Sequence, residues 1–193
     1  MKTAQRKAKG REFQSLVAEM LAVGLGLTIR AEPPTKPGTR ANGAVYVPEG
    51  DHADLHVRRM GQPGADVALL SDKARRLIAI EDFELHIECK KNAKEVDLGW
   101  KFWRGGGCNA FLSKAMNQAN DGAHRASVRA AVGLVAFAGN NWPPMVMLPF
   151  LTVAMQKSLA TSMYLVRPQP IMTLETFIDY LTFRAPLDAS EAS

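Results

Sequence analysis

The sequence predicts an α/β sandwich in which helices flank a central mixed β-sheet. Three observations predict it. An amphipathic helical pattern opens the chain, a strand with two-residue alternation lies near its middle, and two apolar strands follow a second helix. The order is helix, strands, helix, strand, strand, which differs from the regular alternation of a doubly wound sheet.

From Lys9 to Val23, Phe13, Leu16, Val17, Met20 and Leu21 follow the i, i+3, i+4, i+7, i+8 spacing of one helical face. Gly24 and Gly26 supply a stop. Glu12 and Glu19 stand seven residues apart, nearly in line on the flank of that stripe. Glu32 to Gly50 holds Pro33, Pro34, Pro37, Gly38, Gly43 and Pro48, and is expected to be a long surface loop. Three extended segments come next. Asp54 to Arg58 alternates weakly, and Ala65 to Leu70 is a short apolar run after the turn-forming Gly61-Gln62-Pro63-Gly64. Phe83 to Lys90 alternates cleanly, with Phe83, Leu85, Ile87 and Cys89 on one face and Glu84, His86, Glu88 and Lys90 on the other. Ser71 to Arg76 is expected to form a helical turn capped by Ser71. Trp100 to Gly107 reads as a loop, and a helix is expected from Asn109 to Asp121 with Phe111, Ala115, Gln118 and Gly122 on one face. Val132 to Phe137 and Met145 to Leu148 read as buried strands, joined by a turn at Asn140 to Pro144. A strand at Met163 to Val166 and a helix near Leu174 to Phe183 complete the pattern. These elements divide into a main domain over residues 1–170 and a terminal helix with a polar tail over 171–193.

At 193 residues the chain is long enough for one full core. An apolar fraction of 47% with 22% charged residues excludes wholesale disorder, and no apolar run reaches the ~20 residues that cross a bilayer. The basic amino terminus lacks the apolar core of a secretion signal, so a cytoplasmic address is expected. Cys89 and Cys108 form no CxxC pair, which argues against a zinc finger or disulfide scaffold. His52 and His56 have a spacing that suits zinc on a helix, but the stretch between them reads as extended. The net charge of +5 points to a polyanionic partner. Its distribution says more: Lys2, Arg6, Lys7, Lys9 and Arg11 crowd the start, where a solvated tail would explain them. Lys90, Lys91, Lys94, Lys101 and Arg104 cluster in the middle.

That middle cluster adjoins the candidate chemistry. Glu88 and Lys90 leave one face of a strand a few ångströms apart, and Asp66 opens the preceding strand. If the two strands are neighbours, Asp66 and Glu88 converge on one hard cation, with magnesium favoured by carboxylate oxygens, retained water and substrate phosphate. The ammonium of Lys90 would then orient an attacking water or neutralise developing charge. A bare Glu-x-Lys pair is by itself a common solvated strand face; the neighbouring Asp66 and the nearby basic residues raise it above that.

Met60 to Arg76, with its G-A-D66 and Ser71-x-x-Ala-Arg-Arg76 elements, followed by Phe83 to Asn92 with Ile87-Glu88-Cys89-Lys90, resembles the PD-(D/E)xK nuclease superfamily. The similarity is greatest to small phage-encoded members related to Holliday-junction resolvases. Weaker likeness lies in Trp100 and Trp103, in Gln118-Ala119, and in Val135 to Phe137 leading to Val146 to Pro149; the whole covers roughly Lys9 to Leu151. The resemblance implies a restriction-endonuclease-like three-layer sandwich. It implies that Asp66 and Glu88 ligate Mg²⁺, with Mn²⁺ as substitute, and that Cys89 offers its backbone carbonyl. Lys90 would be the catalytic lysine, Glu12 the first-helix ligand with Glu19 as competitor, and Gln118 the residue that supports the lysine. The excursion at Glu32 to Gly50 and the connection from Lys73 to Asp82 are longer than a minimal domain requires, but neither removes a catalytic residue type.

The function so implied is divalent-metal-dependent hydrolysis of DNA, structure-selective, in phage recombination or repair, inside a phage-infected or lysogenic bacterial cell. A homodimer is expected, because a junction presents two equivalent scissile strands. Lys9, Arg11, Lys91, Lys94, Lys101, Arg104 and Lys114 are the candidate phosphate contacts, and Trp100 and Trp103 the candidate base-stacking residues, with packing over a sheet edge as the alternative. The competing hypothesis is a non-catalytic nucleic-acid-binding or assembly module. It would bind DNA with a steep salt dependence and take up no metal through Asp66 and Glu88.

Overall fold

The computed structural model describes residues 2–30, 38–39, 45–47, 53–57, 66–69, 71–77, 84–91, 110–125, 131–138, 143–148, 164–166 and 169–190. Helix α1 runs over Lys2–Leu25. Its apolar half was expected, but it starts seven residues earlier than the periodicity indicates. The Ala, Lys, Gln and Arg of the first ten residues carry high helix propensity and no apolar stripe, so periodicity alone is blind to them. The first basic cluster therefore sits on a helix and not on a tail. Gly26, at φ 63°, ends it. The Leu27 N–H donates to the Ala22 carbonyl at 2.8 Å, the bond of a Schellman cap.

Ten strands among the described residues form one mixed sheet. They are β1 (Thr28–Arg30), β2 (Gly38–Thr39), β3 (Val45–Val47), β4 (Leu55–Val57), β5 (Val67–Leu69), β6 (Glu84–Lys91), β7 (Ala131–Ala138), β8 (Met145–Met147), β9 (Tyr164–Val166) and β10 (Gln169–Thr173). Their order is β2-β3-β1-β4-β5-β6-β7-β8-β10-β9. The long loop expected at Glu32 to Gly50 is corrected here, because it supplies β2 and β3. Prolines and glycines frame the β-branched and aromatic triplet Val45-Tyr46-Val47, and that triplet outweighs the punctuation around it. Strand β6 runs parallel to β7 along its whole length, from Glu84 opposite Ala131 to Lys91 opposite Ala138. On its other side it meets the antiparallel β5 at a single register pair, Val67 opposite Ile87.

Helices cover both faces. On one face α1, α2 (Asp72–Leu77) and α4 (Leu174–Ser190) share a core, with Phe13, Val17, Leu21, Ala74, Ile87, Ala136, Val146, Met172 and Phe177 among its members. On the other, α3 (Ala110–Arg125) packs Leu112, Ala115, Met116 and Ala119 against Val135, Phe137, Met145, Met147 and Ile171. Neighbouring residues of β7 and β8 thus alternate between two cores, and a central sheet with helices on each side is the observed architecture. The buried stripe of α3 corrects the expected one: Gln118 is exposed on the outer face, while Ala115 and Gly122 are buried.

The carboxyl-terminal segment belongs to the same core. A boundary at residue 170 would cut β10, which pairs with both β8 and β9. The prolines of Arg167 to Pro170 obscure this strand in the sequence. Thr173 caps α4, its Oγ1 accepting the Thr176 N–H at 3.1 Å. Phe177, Ile178 and Leu181 then pack with α1, closely enough that a Cβ added at Gly24 would lie 2.3 Å from Ile178 Cγ2. No helix among the described residues is long and apolar enough to cross a membrane.

Candidate active site

The site forms where β5 leaves β6. The Asp66 N–H donates to the Ile87 carbonyl at 3.0 Å, and beyond that point the side chain takes over the pairing. The Cys89 N–H donates to Asp66 Oδ2 at 2.7 Å, where a longer β5 would have offered a backbone carbonyl. In extended backbone the N–H and C=O of one residue leave toward the same strand edge, so the Cys89 carbonyl shares that edge with Asp66. The Cys89 side chain turns the other way, into the core beside Ile87, and burial, then the carboxylates of Asp66 and Glu88, push its thiol well above the ordinary value. A core thiol is what the alternation of β6 predicts.

Glu88 and Lys90 share the opposite parity and form an ion pair through Glu88 Oε1 and Lys90 Nζ, with side-chain exposures of 14% and 24%. Both therefore remain reachable from solvent. Burial, then the adjacent Glu88 carboxylate, raises Asp66 to about 6, although the Cys89 N–H, the Lys90 ammonium and the Gln14 amide pull in the other direction. The three residues singled out in the sequence thus stand within electrostatic reach of one another.

The first helix contributes a residue other than the two expected. Glu12 is exposed. Glu19 is buried and accepts the Tyr46 hydroxyl at 2.6 Å, which binds α1 to β3. Gln14, 4% exposed, reaches the site, its Nε2 donating to Asp66 Oδ1 at 2.6 Å. The sequence carried a signal for it: Gly10, Phe13, Gln14, Val17 and Leu21 lie on one helical stripe, and an amide there must be buried with a partner. The expectation of a lysine-supporting Gln118 is likewise corrected, because that side chain is exposed on the side of α3 away from the sheet. His86 is buried on β6.

Of the candidate phosphate contacts, Lys9, Arg11 and Lys114 are exposed on their helices. Lys91, also exposed, stands 5.3 Å over the Phe13 ring and so brings its charge to the α1 side of the site. Lys94, Trp100, Lys101, Trp103 and Arg104 lie outside the described residues, as does His52.

A second polar network braces the sheet nearby. Asp54, 8% exposed, accepts the Thr28 N–H at 2.8 Å and the Thr28 hydroxyl at 3.0 Å through Oδ2, and the Ser71 hydroxyl through Oδ1. Ser71 in turn accepts the Ala74 N–H at 3.0 Å, the expected cap of α2. Lys73 Nζ donates to the Gly26 carbonyl at 2.7 Å. Burial alone would raise Asp54; the hydrogen bonds from Ser71 and Thr28 and the charge of Lys73 outweigh it and lower the carboxyl.

The two carboxylates make opposite contributions to stability. Asp66 is raised in the folded state above its unfolded value of 3.8, so its contribution is complete below pH 3.8 and is lost as pH rises through about 6. Asp54 is lowered, so its contribution is present above pH 3.8 and is lost as pH falls below it. Asp66→Asn, measured by denaturant unfolding in a chelator, is expected to gain about 2 kcal/mol over the wild type at pH 7.5 and nothing at pH 4. A gain that does not change between those pH values would contradict the burial and like-charge origin of the shift.

The donor set fits a hard cation. It comprises two carboxylates within electrostatic reach of each other, the Cys89 carbonyl edge, and a buried Gln14 Oε1 with no hydrogen-bond partner among the described residues. Among the described residues no group of three or more His, Cys, Asp and Glu side chains could hold a metal, so an ion here would complete its shell with water and substrate oxygen. Scans against protein-family models, curated proteins and solved structures found no match to this chain.

Proposed function

We propose that this protein is a divalent-metal-dependent DNA nuclease with a restriction-endonuclease-like sandwich, acting on branched DNA in phage recombination or repair. The observation that carries the reading is the meeting of Asp66, Glu88 and Lys90 at the β5–β6 fork, where a half-buried ion pair stands within electrostatic reach of a largely buried carboxylate. Asp66 and Glu88 would hold Mg²⁺, or Mn²⁺ in its place, which supplies Lewis acidity and a water acidified for attack on phosphorus. The chain's own groups then do the rest. The Cys89 N–H and Gln14 amide fix the Asp66 carboxylate in one orientation. Glu88 anchors the Lys90 ammonium, which donates a hydrogen bond to the attacking water or to the phosphate oxygen that gains charge. Lys9, Arg11 and Lys91 offer exposed cations for the phosphate backbone on the α1 side. A homodimer would present two such sites to the two equivalent strands of a junction.

The test is a nuclease assay with four-way junction, flap, duplex and single-stranded DNA at matched Mg²⁺ or Mn²⁺. Metal-dependent cleavage, strongest on the branched substrates, is expected. Tight, salt-sensitive binding without hydrolysis on any of them would instead assign the protein as a non-catalytic nucleic-acid-binding module.

A further inference from the structure

We infer that Gln14 is the third side chain of the metal site, the group by which α1 donates an uncharged oxygen to the cation. The inference rests on the cation reading of Asp66 and Glu88, and on three features of Gln14 itself. It is more than nine-tenths buried, on the stripe that carries Phe13 and Val17 into the core. Its Nε2 is committed to Asp66 Oδ1 at 2.6 Å. Its Oε1 is buried and has no hydrogen-bond partner among the described residues. A desolvated carbonyl oxygen without a donor costs free energy that a core position filled by leucine would avoid. The two heteroatoms of a carboxamide share one carbon, so this oxygen lies within a bond-angle's span of the nitrogen that touches Asp66. A cation held by Asp66 would supply the electrophile that this oxygen lacks.

Charge explains why an amide suits this place. Asp66 and Glu88 are like charges that repel across the site, and Lys90 pairs with Glu88. A third carboxylate at position 14 would add to that repulsion whenever no cation is present. Glutamine supplies the oxygen and none of the charge. The two glutamates that α1 does carry lead elsewhere, Glu12 to solvent and Glu19 to Tyr46.

The experiment is calorimetric titration of the full chain with Mn²⁺, paired with melting curves in chelator and in saturating Mn²⁺. The proteins compared are wild type, Gln14→Leu, Gln14→Glu and Asp66→Ala. Gln14→Leu is expected to weaken Mn²⁺ binding by about tenfold or more while retaining a cooperative melt. Gln14→Glu is expected to melt lower than wild type in chelator and to gain more from Mn²⁺ than wild type does, because the ion then relieves a larger repulsion. Asp66→Ala is expected to lose Mn²⁺ uptake. If Asp66→Ala loses uptake but both Gln14 variants bind Mn²⁺ like wild type, Gln14 merely ties α1 to β5 and this inference fails alone. If the wild type takes up no Mn²⁺, or Asp66→Ala takes up as much, the cation reading fails with it. Should Gln14→Leu not fold, Gln14→Glu decides by its melting difference between the two conditions.

Discussion

Lys90→Ala and Asp66→Ala are each expected to reduce Mg²⁺-dependent DNA cleavage by about 10²-fold or more, the scale on which a preorganised charge at a reacting centre is worth measuring. The two losses have different origins, and a second measurement separates them. Asp66→Ala removes a metal-holding carboxylate, so Mn²⁺ uptake should fall along with the rate. Lys90→Ala leaves both carboxylates in place and removes only the ammonium that Glu88 anchors. Mn²⁺ uptake should persist in that variant while the rate falls. Neither loss reflects unfolding, because the Glu88–Lys90 pair is partly solvated and such pairs contribute under about 1 kcal/mol to stability. Asp66→Ala does strip the acceptor from the Cys89 N–H and the Gln14 amide, but it also removes a carboxylate whose ionisation the fold resists. Single-turnover rates on the preferred DNA, with circular dichroism melts of the same samples, are the measurement. Unaltered cleavage in both variants would refute the assignment of the site.

Phe177→Ala is expected to destabilise the protein by about 3–5 kcal/mol, the ordinary cost of emptying a buried phenylalanine site. For a chain of this length that corresponds to a fall of roughly 10 °C in melting temperature. Phe177 has no exposed surface and belongs to the core that α1, α2 and the sheet share. Its helix begins at a bond from the Leu174 N–H to the Pro144 carbonyl at 2.8 Å, so the same element is tied to the entrance of β8. The control is Glu175→Ala, two residues away and exposed, which should change stability by less than about 0.5 kcal/mol. If both variants melt like the wild type, α4 contributes nothing to the core and the boundary at residue 170 stands as a real division.

The sequence legible to periodicity gave way to structure at identifiable places. The β6 alternation was readable because one face is buried and the other meets polar groups, so each side chain announces its side. The cap at Ser71 was readable because a serine before a helical turn satisfies a backbone N–H locally. Strands β2, β3 and β10 were hidden, since prolines and glycines beside them dominate a local reading while their partners lie far away in the chain. Asp54 gave no local signal, because its partners Thr28 and Ser71 are brought to it only by folding.

By itself, then, the sequence determined the α/β class, the amphipathic first helix, and the placing of Glu88 and Lys90 on one strand face, all of which follow from the period of a single element. Which acidic or amide side chain of α1 meets Asp66 was a matter for the tertiary structure. Glu12, Gln14 and Glu19 all lie on the same helix, and only the rotation of α1 against β3 and the β5–β6 fork sends one to solvent, one to the carboxylate and one to a tyrosine. That rotation is set by where Phe13, Val17 and Leu21 find the sheet, a sum over many distant apolar contacts that no short stretch of sequence contains.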